Sequence, residues 1–574
     1  MAETIISPGV FQRENDISFI TPAPAEVGAC VIGPTVKGPV EIPTTITSYN
    51  EYVRVFGETF ESASTKQEFL TSIAAKNYFS QGGNTLLVAR VVSGSFTAAD
   101  NTHISASSNG GSEPFSIQTL GKGVIYNNNS GSIHNAGSTQ ENSDASLVSG
   151  SVDNLRWEIS NVSNALGTFT LSVRRGDDSH KSKIVLETWN NLSLDPNSEN
   201  YIAARIGDQT KSLSSGNITT TGDFVNRSKY IRIDAVNRGT INYIGNDGNI
   251  RLGSLSGSLP IAQSGSFYNA TGNIVKGGDN YFGSISTQTQ GLASSDYDNV
   301  ITLLNNADDF KFNVITAPGI IDHSHPTRVS NLISLAESRG DCIYVADLEV
   351  YGADVSDVTT EAGVLNSSYA ASYWPWLQTQ SATGKNVWAP ASVFIPGVYA
   401  FTDGASAPWF APAGLVRGGL AGVIQAERRL SRTQRDTLYN GKVNPIATFP
   451  GTGIAVFGQK TLQTKASALD RVNVRRLLID LKEFLGNQAQ NLVFEQNTVN
   501  TRNKFLSSVN PYLDSVVQRQ GLYSYRVVMD DTNNTADVID RNQLVGQIFI
   551  QPAKTAEFIV LDFTVEPTGA TFGA

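Results

Sequence analysis

The chain has little of what enzymes and secreted scaffolds are built on. Its 574 residues include only 2 cysteines, Cys30 and Cys342, too few for a disulfide framework or a cysteine-based metal site. Charged residues make up 16%, below the ~25% usual for globular proteins. No run approaches the ~18 consecutive apolar residues of a membrane span, so membrane insertion is not expected. The opening Met1-Ala-Glu-Thr lacks the basic region and apolar run of a secretory signal, which points to the cytoplasm in which the chain is made. A phosphate-binding loop ending in Gly-Lys-Ser/Thr is absent, as is the Gly-x-Ser-x-Gly elbow of serine hydrolases. Gly451-Thr-Gly-Ile-Ala-Val-Phe-Gly has the wrong spacing for a dinucleotide fingerprint and leads into a predicted strand.

The few groups that chemistry could use have plainer readings. His323 and His325 flank Ser324 just past a predicted strand end. A His-x-His pair can ligate a metal, but the chain has 5 histidines and no third ligand is evident, so both are read as surface loop histidines. Asp530 and Asp531 are read as turn-formers. Trp374-Pro-Trp376 is read as packing at a domain junction rather than a stacking platform for a sugar or base. No enzymatic activity, cofactor or metal is expected.

What is present is size, turns and a charge asymmetry. The length implies three or four domains. The 51 glycines, with much Ser, Thr and Asn, point to β structure rich in turns. From Arg417 to Arg526 there are 16 Lys/Arg against 7 Asp/Glu, a local +9 within a chain of net charge −10. Such a segment fits an acidic partner, or else ordinary solvated helix faces. A nucleic-acid surface would interleave aromatics with the cations. This segment has few, so direct nucleic-acid binding is not expected. An adhesin or polysaccharide-active enzyme would bring a secretion signal or paired acids in a cleft, and neither is visible. Asn-x-Ser/Thr sites, as at Asn217 and Asn269, are composition rather than glycosylation.

Along the chain, residues 1–27 read as an extended arm: Pro8, Pro22 and Pro24 discourage helix, and Ile5, Ile6, Val10 and Phe11 give it something to bury. Gly28-Ala-Cys-Val-Ile-Gly and Thr85-Leu-Leu-Val-Ala-Arg-Val-Val read as buried strands. With the helix predicted over Glu68 to Ser80 they suggest a βαβ unit. Residues 93–279 change composition, and short alternating runs such as Phe169-Thr-Leu-Ser-Val predict one or two inserted β domains. Helix–strand alternation returns over Tyr297 to Asp347: a helix over Pro326 to Ser338, then the strand Cys342-Ile-Tyr-Val-Ala-Asp. Val472 to Leu485 is amphipathic, with Arg471, Arg475, Arg476 and Lys482 as its cations. Thr498 to Gln520 is helical and carries Arg502, Lys504 and Arg519; Pro511 is expected to break or kink it.

The last fifty residues hold three β-rich runs. Leu522-Tyr-Ser-Tyr-Arg-Val-Val-Met-Asp and Leu544-Val-Gly-Gln-Ile-Phe-Ile-Gln-Pro are separated by Asp530-Asp-Thr-Asn-Asn-Thr, whose side chains favour a turn. The third, starting at Glu557, alternates so that Ile559, Leu561, Phe563 and Val565 share an apolar face. That face must be buried by this chain or a neighbour, and a strand so near the chain's end suits pairing with another subunit's sheet edge.

These motifs resemble those of contractile-tail sheath proteins of long-tailed phages and related injection machines. The resemblance rests on Tyr525-Arg-Val-Val-Met-Asp-Asp-Thr-Asn-Asn-Thr, Val538-Ile-Asp-Arg-Asn and Ile550-Gln-Pro-Ala. It extends to Trp409-Phe-Ala-Pro-Ala-Gly-Leu-Val-Arg-Gly, Gln434-Arg-Asp-Thr-Leu-Tyr with Val443-Asn-Pro-Ile, Asp470-Arg-Val-Asn-Val-Arg-Arg-Leu-Leu, Ser7-Pro-Gly-Val and Gly82-Gly-Asn-Thr-Leu-Leu-Val-Ala-Arg. No counterpart is evident for residues 100 to 280. The resemblance implies a mixed α+β and α/β multidomain fold, a sheath-type α/β core with terminal β-strand arms and inserted β-rich outer domains. Its parts would be an N-terminal arm (1–27), a first core part (28–92), the insertion (93–279), an α/β middle domain (280–395), a C-terminal core (396–555) and a terminal strand and arm (556–574). It further implies a homo-oligomer of stacked hexameric rings around a tail tube protein, with baseplate and tail terminator proteins as further partners and strand exchange between neighbours. Arg502, Lys504, Arg471, Arg475 and Arg476 become candidates for the tube-facing surface, the alternative being intrachain pairs for Arg475 and Arg476.

Overall fold

In the structure, a computed structural model, residues 28–62, 65–106, 113–128, 142, 146–214, 216–237, 259–274, 288–451 and 453–557 are described. The arm residues Ile5, Ile6, Val10 and Phe11, and the final run with Ile559, Leu561, Phe563 and Val565, lie outside them.

The short apolar runs assemble into one eight-stranded sheet in the order Thr44–Ile46, Leu86–Arg90, Ala29–Gly33, Val314–Ile321, Ile343–Asp347, Ala370–Trp374, Val443–Phe449, Gly453–Val456. The inner strands are parallel; both edge strands pair antiparallel. A parallel sheet is covered on both faces, and the two-residue period divides its side chains between two cores. Cys30, Ile32, Leu87, Ile315 and Tyr344 point to one core, which the helices Asp298–Leu304, Pro326–Arg339 and Val355–Val364 cover. Ala29, Val31, Leu86, Val314 and Val345 point to the other, covered by Tyr49–Phe56, Leu70–Ser80, Ile395–Ala405 and the start of Val472–Gln490. Cys30 and Cys342 are free and buried, and burial pushes both thiols up, away from the reactive thiolate.

The predicted first core part and middle domain thus share a single sheet, and strands beyond residue 396 complete it. A parallel crossover tolerates a connection of any length, so the insertion between Leu86–Arg90 and Val314–Ile321 leaves the sheet intact. That insertion contains a seven-stranded sheet whose paired strands all run antiparallel, in the order Val185–Ser193, Thr168–Arg175, Leu155–Ser163, Gln263–Tyr268, Ala98–Asn101, Phe115–Lys122, Ile231–Val236. Trp157, Phe169 and Phe115 centre its core. The Trp157 indole donates to the Ser266 carbonyl at 3.1 Å and lies so close to Gly265 that a Cβ there would sit 2.3 Å from the ring. The Lys37–Asp153 ion pair, at 2.9 Å, links the insertion to the core.

The Val472–Gln490 helix joins the core to the C-terminal unit. Val472 and Ile479 enter the sheet core, while Leu477 and Leu481 pack on Phe505, Val509, Leu513 and Val516 of the Val499–Gln518 helix. Thr498 caps the latter helix by accepting from the Thr501 N–H. Pro511 does not end it: the helix runs unbroken across the proline, held by the buried stripe on either side. The strands Leu522–Val528 and Gln547–Pro552 then form an antiparallel pair. Between them the Asp530 turn closes as predicted, with Asp530 accepting from the Thr532 N–H and Asn533 from the Asp530 N–H. Trp374 and Trp376 are buried in packing roles, Trp376 donating to the Glu349 carbonyl at 2.9 Å.

The reading of the two histidines needs correction. His325 is buried, not on the surface: it precedes the Pro326–Arg339 helix, and its Nδ1 accepts from the Ile321 N–H. Desolvation holds its pKa below the ordinary value. His323 is exposed, but the fold brings Glu349 and Glu361 beside it, partners far off in sequence.

Candidate assembly surfaces of the C-terminal region

The Leu522–Val528 and Gln547–Pro552 strands form a two-stranded sheet, so among the described residues each has one unpaired edge. One face packs on the helices through Leu522, Tyr525, Val527, Ile548 and Ile550. The other leaves Tyr523 64% and Phe549 56% exposed. An isolated two-stranded sheet is marginal in water; the helices support one face, and open edges with exposed aromatics favour addition of further strands.

The chain then turns back toward the core and is fastened at Glu557. Arg471 Nε and Nη2 donate to its carboxylate at 2.7 and 3.0 Å, the Tyr439 hydroxyl at 2.7 Å and Gln459 Nε2 at 3.0 Å. Burial opposes ionisation of Glu557, but the bonds from Arg471, Tyr439 and Gln459 outweigh it and hold the carboxyl below its ordinary value of 4.5. A depressed carboxylate stabilises the folded state above its unfolded pKa, and that contribution is lost as pH falls through the folded value. The tail root is therefore fastened at neutral pH and loosens in acid below the ordinary carboxylate range. Amide exchange at Ala553, whose N–H donates to the Gly521 carbonyl at 3.1 Å, checks this: its protection factor should fall on acidification, and Glu557→Gln should lower it already at pH 7, by about 1.5–3 kcal/mol of local opening energy. Unchanged protection in both would contradict the assignment.

The cations of the basic segment have mostly internal work. Arg471 holds Glu557. Arg475 is buried, donates to the Ser368 hydroxyl and carbonyl, and lies 3.9 Å over the Tyr369 ring. Arg476 is buried and pairs with Asp403 at 2.5 and 2.7 Å. Arg502 is buried, bonding Asp531 at 2.6 Å and Asn497 at 2.9 Å. Arg417 stacks on Phe410, Arg435 on Phe449 and Phe457, and Arg519 on Trp409. The intrachain alternative thus describes Arg475 and Arg476, and Arg502 joins them. Of the five candidates Lys504 alone is exposed, on the outer stripe of the Val499–Gln518 helix opposite Phe505, Val509 and Leu513. No sequence signal separated it from Arg502 two residues earlier; the helical period does, once its phase is known. Among the described residues, no helix is long and apolar enough to cross a membrane.

Known proteins place this geometry. The phage tail sheath protein central domain matches residues 291–462, and the phage tail sheath C-terminal domain residues 464–566. The tail sheath protein of Vibrio phage KVP40 is 39% identical over 219 residues, 38% of this chain and 32% of that protein. That of Enterobacteria phage T4 is 41% identical over 187 residues, 33% of this chain and 28% of its own. The matched part thus spans about a third of the length of these curated relatives. The crystal structure of a sheath tail protein from Listeria innocua has the same fold, with a TM-score of 0.52 and 10% identity over 92% of this chain and 95% of that one. Residues 291–462 and 464–566 thus carry the central and C-terminal domains of phage tail sheath proteins.

Proposed function

We propose that the chain is a structural, non-catalytic subunit of a contractile tail sheath. It polymerises as stacked hexameric rings around a tail tube and shortens to drive the tube through a target envelope. The observation that carries this reading is the helix-backed two-stranded sheet with open edges, lying within the part that matches the sheath C-terminal domain. Neighbouring subunits supply the missing strands: residues 1–27, through Ile5, Ile6, Val10 and Phe11, and residues 558–574, through Ile559, Leu561, Phe563 and Val565. Main-chain pairing depends little on side-chain contacts, so it survives rotation of the subunits, as contraction requires. The energy lies in which set of subunit contacts is made, so no cofactor is needed. Baseplate and tail terminator proteins bound the stack, and assembly takes place in the host cytoplasm.

Lys504 is the tube-facing cation in this reading. A single exposed charge pair is worth only ~0–1 kcal/mol. Repeated around every ring, such contacts hold the sheath yet release it cheaply. Lys504→Glu is expected to reduce assembly on tubes, most at low salt where screening is weakest, with the fold unchanged. Co-sedimentation with tubes measures this, and undiminished assembly at low salt would remove Lys504 from the interface.

A further inference from the structure

One rim of the central sheet gathers four titratable groups that none of the assembly surfaces uses. The chain leaving Val314–Ile321 runs beside the chain leaving Ile343–Asp347: the Asp322 N–H donates to the Asp347 carbonyl at 2.9 Å and the His323 N–H to the Leu348 carbonyl at 3.0 Å. This pairing sets His323 beside Glu349. The Val355–Val364 helix, begun by the Asp354 and Asp357 capping box, brings Glu361 to the same point. His323 Nδ1 lies 3.2 Å from Glu349 Oε1 and 3.6 Å from Glu361 Oε1. One donor atom from each of the three lies within 4.8 Å of the other two.

Hydrogen bonding alone accounts poorly for this convergence. A ring nitrogen carries at most one proton, so it serves one carboxylate well and not two. By contrast, bonds of the length zinc makes to imidazole and carboxylate set tetrahedral ligands about 3.3–3.6 Å apart. Asp322 is an independent sign. It immediately precedes His323, is 3% exposed, and its Oδ1 has no hydrogen-bond partner. A buried carboxyl oxygen left without a partner beside this cluster is costly unless something absent from the protein's own groups satisfies it.

We propose that His323, Glu349 and Glu361, with Asp322 behind them, bind a divalent cation of the zinc class. Imidazole with carboxylates suits zinc and its first-row neighbours, whereas magnesium and calcium favour all-oxygen cages. Three protein ligands leave a fourth position for water. The ligands come from two strand ends and a separate helix, so the cation ties the Val355–Val364 helix to the sheet rim and binds the folded state in preference to the unfolded.

The full chain, stripped with chelator and dialysed against zinc chloride, tests this. About one equivalent should be retained, one cation for the one ligand set, and zinc should raise the melting temperature. His323→Ala and Glu361→Gln should each weaken retention at least tenfold, and circular dichroism should show both variants folded, since His323 is 55% and Glu361 29% exposed at the side chain. A wild-type chain that retains no more zinc than His323→Ala would overturn the proposal. So would two folded variants that keep the wild-type stoichiometry and affinity, which would place the metal elsewhere.

Discussion

Asp178→Ala is expected to destabilise the inserted domain by about 3–5 kcal/mol, the cost of removing one partner from a buried ion cluster. Arg174 closes on Asp178 through Nε at 2.6 Å and Nη2 at 2.8 Å, and Arg156 reaches the same carboxylate at 3.4 Å; all three side chains are fully buried. Glu158 takes the remaining arm of Arg174 at 2.9 Å. Removing Asp178 takes away the one buried carboxylate that Arg174 and Arg156 share, and leaves Arg174 with the partly buried Glu158. The Ile184 N–H also loses its acceptor. Asp178→Asn keeps one acceptor and the shape, so it should cost less. The damage should stay within the insertion, because the central sheet has its own two cores. Denaturant unfolding followed by fluorescence checks this: Trp157, in the strand that carries Arg156, should report an early transition, while Trp374 and Trp376 in the core region report the wild-type one. A single unshifted transition would contradict it.

Arg476→Ala comes next, at about 3 kcal/mol. Arg476 joins the Val472–Gln490 helix to Ile395–Ala405 through both Asp403 oxygens, and its guanidinium lies 4.6 Å over the Tyr399 ring. Desolvation raises the Asp403 pKa, and the Arg476 charge opposes that rise, so truncation leaves a carboxyl that is poorly solvated and unpaired. Its side chain keeps 28% exposure, which places the cost at the low end of the range for buried pairs. Arg476→Lys should cost less than Ala, since both Asp403 bonds come from Nη2 alone and one ammonium nitrogen can serve the carboxylate, but it loses the planar stacking on Tyr399. In Arg476→Met with Asp403→Leu both charges are gone, and much of the stability should return. A double-mutant cycle in urea measures the coupling, and additive losses would show that the pair is not a unit.

These two clusters mark where the sequence stopped being readable. The strands at Ala29–Gly33, Leu86–Arg90 and Ile343–Asp347 were legible because local burial writes itself as an apolar run. The Asp530 turn was legible because its chemistry is local. Arg475, Arg476 and Arg502 were not, because their roles depend on distant partners: Asp403 lies 73 positions from Arg476, and Glu557 86 from Arg471. Composition marks such residues as surface cations, and only the fold turns them inward. Helix survival at Pro511 has the same origin, since tertiary packing along Val509, Leu513 and Val516 outweighs the lost hydrogen bond. The His323 cluster depends on two strand ends and a helix meeting, which no spacing within one segment reveals. The C-terminal sheath resemblance was readable because its motifs are long and ordered; the insertion carries no such run, and its sheet order came from the structure.

The central claim is that subunits are joined by strands lent to the Leu522–Val528 and Gln547–Pro552 sheet. Negative-stain electron microscopy of the purified chain beside a version ending at Glu557, each with and without tail tubes, tests it most directly. The full chain is expected to form hollow helical tubes of uniform width, alone or on the supplied tubes. The shortened chain, folded but without Ile559, Leu561, Phe563 and Val565, is expected to remain unassembled. Identical tubes from both chains, or a full chain that stays monomeric even on tubes, would contradict the account.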